Sequence, residues 1–510
     1  MILELAGEPA AESAQCLAGC VIRQHAIGRD LRGLAAAVLV FLPATARAQV
    51  TAAPRPDEQF DVMNLLSHNG LHDIKDESWN AYGQFTWISS YKAPFSARYT
   101  NLNNGINTSS LSTNGEHSFT GTFTVFLGVR LWSGAEAYYV PEVISERPLS
   151  NLKGLGAVQN FELQKGGTET PQIYRSRSYL RQTIGLGGKR VVKDSDPMQL
   201  GTVVDSRRLV LTAGSFSILD FLDKNTFSGD LRRQFTNLAF MTYNAYDFGS
   251  DARGYSWGGV AELYYDDWAL RYGRITPPKN PNALEQEFRI YKLYGDQIEL
   301  EHKHQLFGQA GAVRVLGYRN RENIGRFDDA VAAHQADPTK NATTCTSYNY
   351  GSTNVNAPDL CWVRRPNIKM GIGLNLEQHI TDDIGVFFRG MISDGQTEVD
   401  AYFSTDRSVS FGALSNGTVW HRPADITGIG AGLGWISKAH ANYLRAGGID
   451  GFIGDGNINQ AMESVVEAFY NVNVITSVWL GADYQRITNP AFNADRGPVN
   501  IFSGRVHAEF

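Results

Sequence analysis

From Phe502 to Phe510 every second residue is apolar or small (Phe502, Gly504, Val506, Ala508, Phe510), and the residues between are Ser503, Arg505, His507 and Glu509. Successive side chains of a strand point to opposite faces. This segment therefore predicts a strand with one face for hydrocarbon and one for water. The alternation recurs. Phe119, Phe123, Val125, Leu127, Val129 and Leu131 share one face, and Thr120, Thr122, Thr124, Phe126, Gly128, Arg130 and Trp132 the other. Ile372, Leu374 and Leu376 alternate with Asn375 and Glu377. Val386, Phe388 and Ile392 alternate with Arg389 across Gly390, and Leu480, Ala482 and Tyr484 with Trp479, Asp483 and Gln485. Turn clusters such as Asp382-Asp383, Asp394-Gly395 and Asp455-Gly456-Asn457 separate these runs. Alternating segments of about ten residues between turns are the signature of a transmembrane barrel. Lipid tolerates no unpaired sheet edge, so such strands must close on themselves.

The predicted fold class is therefore all-β: a transmembrane antiparallel β-barrel with long external loops and short periplasmic turns. Sixteen strands of about ten residues would use roughly 160 residues and leave ample chain for loops. Eight strands would demand implausibly long loops. Barrels of this larger size hold an aqueous channel, whereas 22-stranded transporters carry a plug. Residues 49–78 are too short for a plug and read as a periplasmic lead-in, with the barrel domain spanning 79–510. A mean hydropathy of −0.26 and the lack of any 18-residue apolar run exclude ordinary transmembrane helices. The net charge of −6 offers no basic footprint for nucleic acid. A strand ending on Phe510 also predicts uptake by barrel assembly machinery.

The N-terminal segment reads as an address. Arg23, Arg29 and Arg32 precede the apolar run from Leu34 to Leu42; Pro43 then breaks it, and Ala46-Arg47-Ala48 supplies the small residues of a cleavage site. Residues 1–48 are thus expected to be a secretory signal cut after Ala48, with an overlong start. Beyond it only Cys345 and Cys361 remain, flanking a polar, turn-rich stretch. In an exported chain such a pair reads as a loop-closing disulfide. Neither a metal site nor a cofactor is implied.

On the inward faces, Arg175, Arg177, Tyr179 and Arg181 alternate with Tyr174, Ser176, Ser178 and Leu180, which predicts a row of guanidiniums on one strand. Glu136, Glu262, Glu377, Glu398 and Asp483 offer carboxylates elsewhere. Opposed rows of Arg and acid across a pore orient water and filter solutes by size and polarity. Arg130 and Arg389 join this candidate lining, as do Trp132 and Trp479, which stand out of phase with their apolar neighbours. The plainer reading for each charge is solvation of the wall, and for most of the other aromatics an interfacial girdle. No GxSxG, HExxH or P-loop pattern accompanies His421, His440 or His507, so nothing marks an enzyme.

The stretch FLDKNTFSGDLRRQFTN, residues 221–237, resembles the FDxNxYAxDPRxQFxN signature of the carbohydrate-selective porins of the OprB type. Leu231 stands where that signature has Pro. Segments 371–398, 437–456 and 483–510 are similar to the same family in the same order. The resemblance implies a sixteen-stranded outer-membrane porin that passes glucose and related sugars by diffusion, with loops folded inward. The motif residues Asp223, Asn225, Arg232 and Asn237 are expected to fix an inward loop rather than touch sugar. Small carbohydrates, outer-membrane lipid and lipopolysaccharide are the implied partners, and the oligomeric state, monomer or homotrimer, stays open. The rival readings are a general or anion-preferring porin, an outer-membrane hydrolase and a loop-based adhesin.

Overall fold

The computed structural model describes residues 61–103, 110–163, 165–347 and 349–510. The signal segment and the cleavage site at Ala48 lie outside the described residues. The first strands are β1 (Trp79–Lys92), β2 (Glu116–Trp132), β3 (Ala135–Arg147) and β4 (Gln172–Gly185). A small hairpin follows, β5 (Arg190–Lys193) with β6 (Thr202–Asp205). Then come β7 (Arg207–Phe216), β8 (Ser256–Tyr265), β9 (Trp268–Ile275), β10 (Tyr294–Leu306) and β11 (Gln309–Ile324). The chain continues through β12 (Arg365–His379), β13 (Ile384–Ser393), β14 (Arg407–Gly417) and β15 (Arg422–Trp435). It ends with β16 (Glu463–Ile475), β17 (Val478–Thr488) and β18 (Val499–Glu509). Apart from β5 and β6, these strands form one closed sixteen-stranded antiparallel barrel in which β18 pairs with β1.

The alternation does what lipid requires. In β2, Phe123, Leu127, Val129 and Leu131 are exposed on the outer wall while Thr120, Thr122 and Thr124 are buried within. Closure is tight at the seam. Gly83 and Phe510 exchange both backbone hydrogen bonds, at 2.6 and 2.9 Å. A Cβ at Gly83 would stand 2.2 Å from the Phe510 ring, so the absence of a side chain there is what lets the ring lie flat.

Connections alternate in length. One end of the barrel carries tight turns, at 133–134, 266–267, 307–308 and 476–477; the other carries long segments, among them 148–171, 217–255, 325–364 and 436–462. The exception at the short-turn end is 186–206. It projects the β5–β6 hairpin and turns its tip, 194–201, back toward the barrel mouth. The tip is fastened there. Ser195 Oγ donates to Glu77 Oε1 at 2.7 Å, the Gly201 amide donates to Glu77 Oε2 at 2.7 Å, and Asn80 Nδ2 donates to the Gln199 carbonyl at 2.9 Å. Helix α1 (Val62–His68), capped by Asp61, buries Met63 against Tyr82, Phe126 and Val140, all on inner faces.

The lumen is not uniformly wet. Segment 217–255 folds inside, and its Phe235, Phe240, Tyr243 and Tyr246 pack on Phe387, Met391, Phe469 and Tyr318 of the inner wall. Inward positions of β11, β13 and β16 are apolar here because they face packed protein rather than water. At the long-loop end, helices α2 (Phe327–Ala336) and α3 (Lys438–Arg445; between them in sequence lies Cys345 bonded to Cys361, Cα atoms 6.5 Å apart) form a second apolar cluster with Phe492.

Candidate solute pathway

Two adjoining cavities lie beside the inward segment along β1–β4 and β7–β9. A cavity of about 310 Å³ is lined by Glu142 and Arg177 of the wall, Glu162 and Lys165 of segment 148–171, and Asp220, Lys224 and Arg232 of the inward segment. Tyr255 and Tyr402 give it aromatic edges, and Pro197 and Met198 of the hairpin tip lie at its margin. A second cavity, of about 180 Å³, is lined by Glu136, Arg181, Arg208, Glu262 and Arg271. Asp220 and Lys224 line both cavities, so the two spaces meet at these side chains.

Several of the charges here are held by a partner of opposite sign, whereas Lys193, Lys224, Arg208 and Arg253 take part in no ion pair among the described residues. Arg232 Nη2 donates to Glu162 at 2.9 Å and to Glu142 at 3.3 Å, and Lys165 Nζ lies 3.3 Å from Glu162. Thr124 donates to Glu142 at 2.7 Å, and the Tyr174 hydroxyl donates to its other oxygen. Arg177 grips Asp220 through Nε and Nη2, both at 2.7 Å, with its guanidinium 5.5 Å from the centre of the Tyr255 ring. Burial would raise the Glu162 carboxyl, but Arg232 and Lys165 outweigh it and hold the group below the usual carboxylate range. Burial likewise opposes the Asp220 charge, and Arg177 overcomes it. Lys224 goes the other way: burial lowers it more than Asp220 can restore. The result is a narrow space with donors, acceptors, ring faces and charges of both signs.

The sequence-derived candidates divide between this pathway and the packed wall. Arg177 and Arg181 face inward; Arg181 donates to the Met198 carbonyl at 3.0 Å and lies 3.8 Å from Glu136. Tyr179 is buried against Tyr138, Phe216 and Phe221. Arg175 departs from the predicted row. A register shift opposite Val140 and Pro141 inserts an extra residue, so Ser176 turns inward and Arg175 is exposed, its guanidinium over Trp257. Trp132 departs for the same reason. A shift after Arg130 leaves it exposed at the barrel end, donating to Gln182 at 3.0 Å rather than facing the lumen. Arg130 pairs with Asp76 at 2.5 Å at the short-turn mouth.

Arg389 does not line open space either. Only 1% exposed, it donates to Asp223 Oδ1 at 2.9 Å and to the carbonyls of Ser228 and Phe240 at 2.6 and 2.7 Å. It is a strut under the inward segment. Asp483 is buried beside Gln485, and Trp479 faces inward with Arg233 over its ring at 5.4 Å. Glu377 accepts from the Thr226 amide at 2.6 Å and from Arg314 at 3.2 Å, and lines a separate space of about 590 Å³ near the short turns. Glu398 chelates Arg364 at 2.7 and 2.8 Å among the long loops, away from the pathway.

The four motif residues each reach a different part of the wall. Asp223 meets Arg389 of β13, and Asn225 donates to Asn375 of β12 at 2.8 Å. Arg232 meets Glu142 of β3, and Asn237 donates to Gln485 of β17 at 3.0 Å. The segment therefore crosses the lumen and is pinned on both sides. Glu142, Glu162, Lys165, Asp220, Lys224 and Tyr255 were missed in the sequence. Most come from loops without periodicity, and only Glu142, on an inward position of β3, carried a readable signal.

The sequence profile of the OprB carbohydrate-selective porins matches residues 111–510. The chain belongs to that family. It is an outer-membrane sugar porin, a channel built on a closed barrel. The fold agrees with that of OprB from Pseudomonas putida, at 15% identity over 85% of this chain and 94% of that one, with a TM-score of 0.60. The outer-membrane channel DcaP of Acinetobacter baumannii aligns over 85% of this chain and 97% of its own at 9% identity, with a TM-score of 0.46. No curated protein matches the sequence.

Proposed function

We propose that glucose and related small sugars pass from the long-loop end through the 310 Å³ cavity, past Asp220 and Lys224, into the 180 Å³ cavity and out beside the hairpin tip. The observation that carries this reading is the pairing of opposite charges along the path. Arg177 with Asp220, Arg181 with Glu136 and Arg232 with Glu142 and Glu162 place donors and acceptors side by side. A neutral polyol can exchange its hydration for such groups one at a time, and weak, multi-site contact lets it leave again. Tyr255 and Tyr402 offer faces for sugar C–H groups. With Arg177 and Arg181 compensated and Arg175 on the outside, the guanidinium row no longer speaks for an anion-preferring porin. Cleavage after Ala48 and assembly through the strand ending at Phe510 complete the route to the outer membrane, and residues 49–78 serve as the periplasmic lead-in.

Liposome swelling with a panel of mono- and disaccharides, comparing wild type with Arg177→Ala, tests the path. The variant is expected to change sugar entry while the barrel still assembles. Unchanged flux would reject Arg177 as part of the constriction. Reversal potentials in planar bilayers provide the second arm: strong anion selectivity with no block by sugars would favour the rival porin class.

A further inference from the structure

The outer wall carries a feature that solute passage does not use. On β13, Gly390 sits between Phe388 and Ile392 on the lipid-facing side, opposite Leu374 of β12 and Val409 of β14. The missing side chain leaves a dent in the apolar wall beside the Phe388 ring, which lies 3.4 Å from where a Cβ would stand. Phe388, Leu374, Val409 and Ile392 line a groove of about 950 Å³ around it. One row nearer the long loops, Ile392 pairs with Arg407, which pairs with Trp435. Arg407 and Lys438, the latter at the start of α3, line the loop-side end of the groove.

Both cations are exposed and, among the described residues, neither takes part in an ion pair. Asp394, the acid on the same rim, is occupied by the backbone: its two oxygens accept from the amides of Met370, at 3.2 Å, and Gln396, at 3.1 Å. Ile372 and Ile392 continue the wall into a neighbouring groove of about 590 Å³ whose rim carries Arg319. Cations at the strand ends stand at headgroup depth, where long basic side chains reach polar groups above an apolar surface. Basic pockets on a membrane wall recognise anionic headgroups.

The geometry points to a specific docking site for a phosphorylated, multi-acyl glycolipid of the outer leaflet. Acyl chains fill the dent over Gly390, and a phosphate sits between Arg407 and Lys438. Charge complementarity selects this occupant over a second copy of the chain, since two copies of the rim would oppose cation to cation. The site rests on the barrel's placement in the membrane and not on the solute path.

The test uses the full chain in nanodiscs, titrated with purified hexa-acyl lipid A and with its fully dephosphorylated form, read by retained lipid in native mass spectrometry. Wild type should retain the phosphorylated lipid at least fivefold better than the dephosphorylated one. The double variant Arg407→Ser, Lys438→Ser should lose that preference, and Gly390→Leu, which fills the dent, should weaken both lipids. Sugar flux in liposomes, expected unchanged in all variants, controls for folding. Equal retention of the two lipids by wild type, an unaltered preference in the double variant, or cross-linking that shows a second copy covering Gly390 would overturn the assignment.

Discussion

Arg389 offers a sharp test of how the lumen is narrowed, because it joins the wall to the inward segment through one guanidinium. Its side chain and that of Asp223 are 1% and 0% exposed. Replacing it with Met keeps much of the apolar stem but strips Asp223 of its only ion-pair partner among the described residues, leaving Thr242 and Asn375 as side-chain donors. Breaking a buried pair by removing one partner costs about 3–5 kcal/mol. The Ser228 carbonyl also loses its donor, which adds about 1–3 kcal/mol before relaxation, whereas the Phe240 carbonyl keeps the Ser228 hydroxyl. At about 1.4 kcal/mol per decade, the pair alone would raise the undocked population of the segment by roughly 10² to 4 × 10³. The barrel ladder makes none of these contacts and should persist. Hydrogen exchange should therefore accelerate across 223–240 in Arg389→Met, and liposomes should admit larger oligosaccharides. Adding Asp223→Asn removes the stranded charge and should restore part of the protection. Wild-type exchange across 223–240 together with an unchanged size limit would refute the strut.

Three further outcomes are expected. Glu77→Ala removes the acceptor shared by Ser195 and Gly201, so the hairpin tip should loosen and single-channel conductance should rise; an identical conductance would deny the tip a role at the mouth. His440 stacks on Phe327 between Asp406 and Asp450, each 3.2 Å away; burial opposes its charge, yet the two carboxylates raise it to about 9. A raised histidine stabilises the loop cluster fully below its unfolded value of about 6.5, and that contribution is lost as pH rises through about 9. Protease protection of 436–450 should fall over that window in wild type and show no such step in His440→Gln. Gly83→Leu would drive the Phe510 ring off the seam, and heat-modifiable, folded protein in membrane fractions should drop severalfold while Gly83→Ala falls less.

How far the fold could be read in the chain follows from what alternation encodes. A strand's two faces are written in every second residue, so the closed sheet and its lipid-facing wall were readable from segments such as 119–132 and 502–510. A bulge adds one residue and leaves the local composition unchanged, so Arg175 and Trp132 fell on the wrong faces. One clue was present at the first site. Pro141 cannot donate to a ladder and is confined to edges or bulges within a sheet, and it sits at the register shift opposite Ser176. The pairing of Arg232 with Glu142 and Glu162 was unreadable because it joins residues 90 and 70 positions apart through a segment with no period. The motif at 221–237 marked the segment but not its path.

That path explains why the remaining candidates divide as they do. An apolar cluster built on Phe235 and Phe240 cannot face water, so it must lie against wall positions that are themselves apolar, and Phe387 and Phe469 supply them. Polar residues on these strands and on neighbouring β17 then become anchors for the segment: Arg389 meets Asp223, Gln485 meets Asn237 and Glu467 meets the Thr236 amide. The segment's far side is left to the opposite wall, where Arg232 reaches Glu142 and where Arg177 and Asp220 stand in open space. On the proposed path, passage keeps to one side of the barrel, and its width follows how far the pinned segment stands from β3 and β4. Changes at anchor positions should alter the size limit, whereas changes at Arg177 or Asp220 should alter which solutes are preferred at a fixed size. A variant of Arg177 that widened the pore without changing preference would contradict this division.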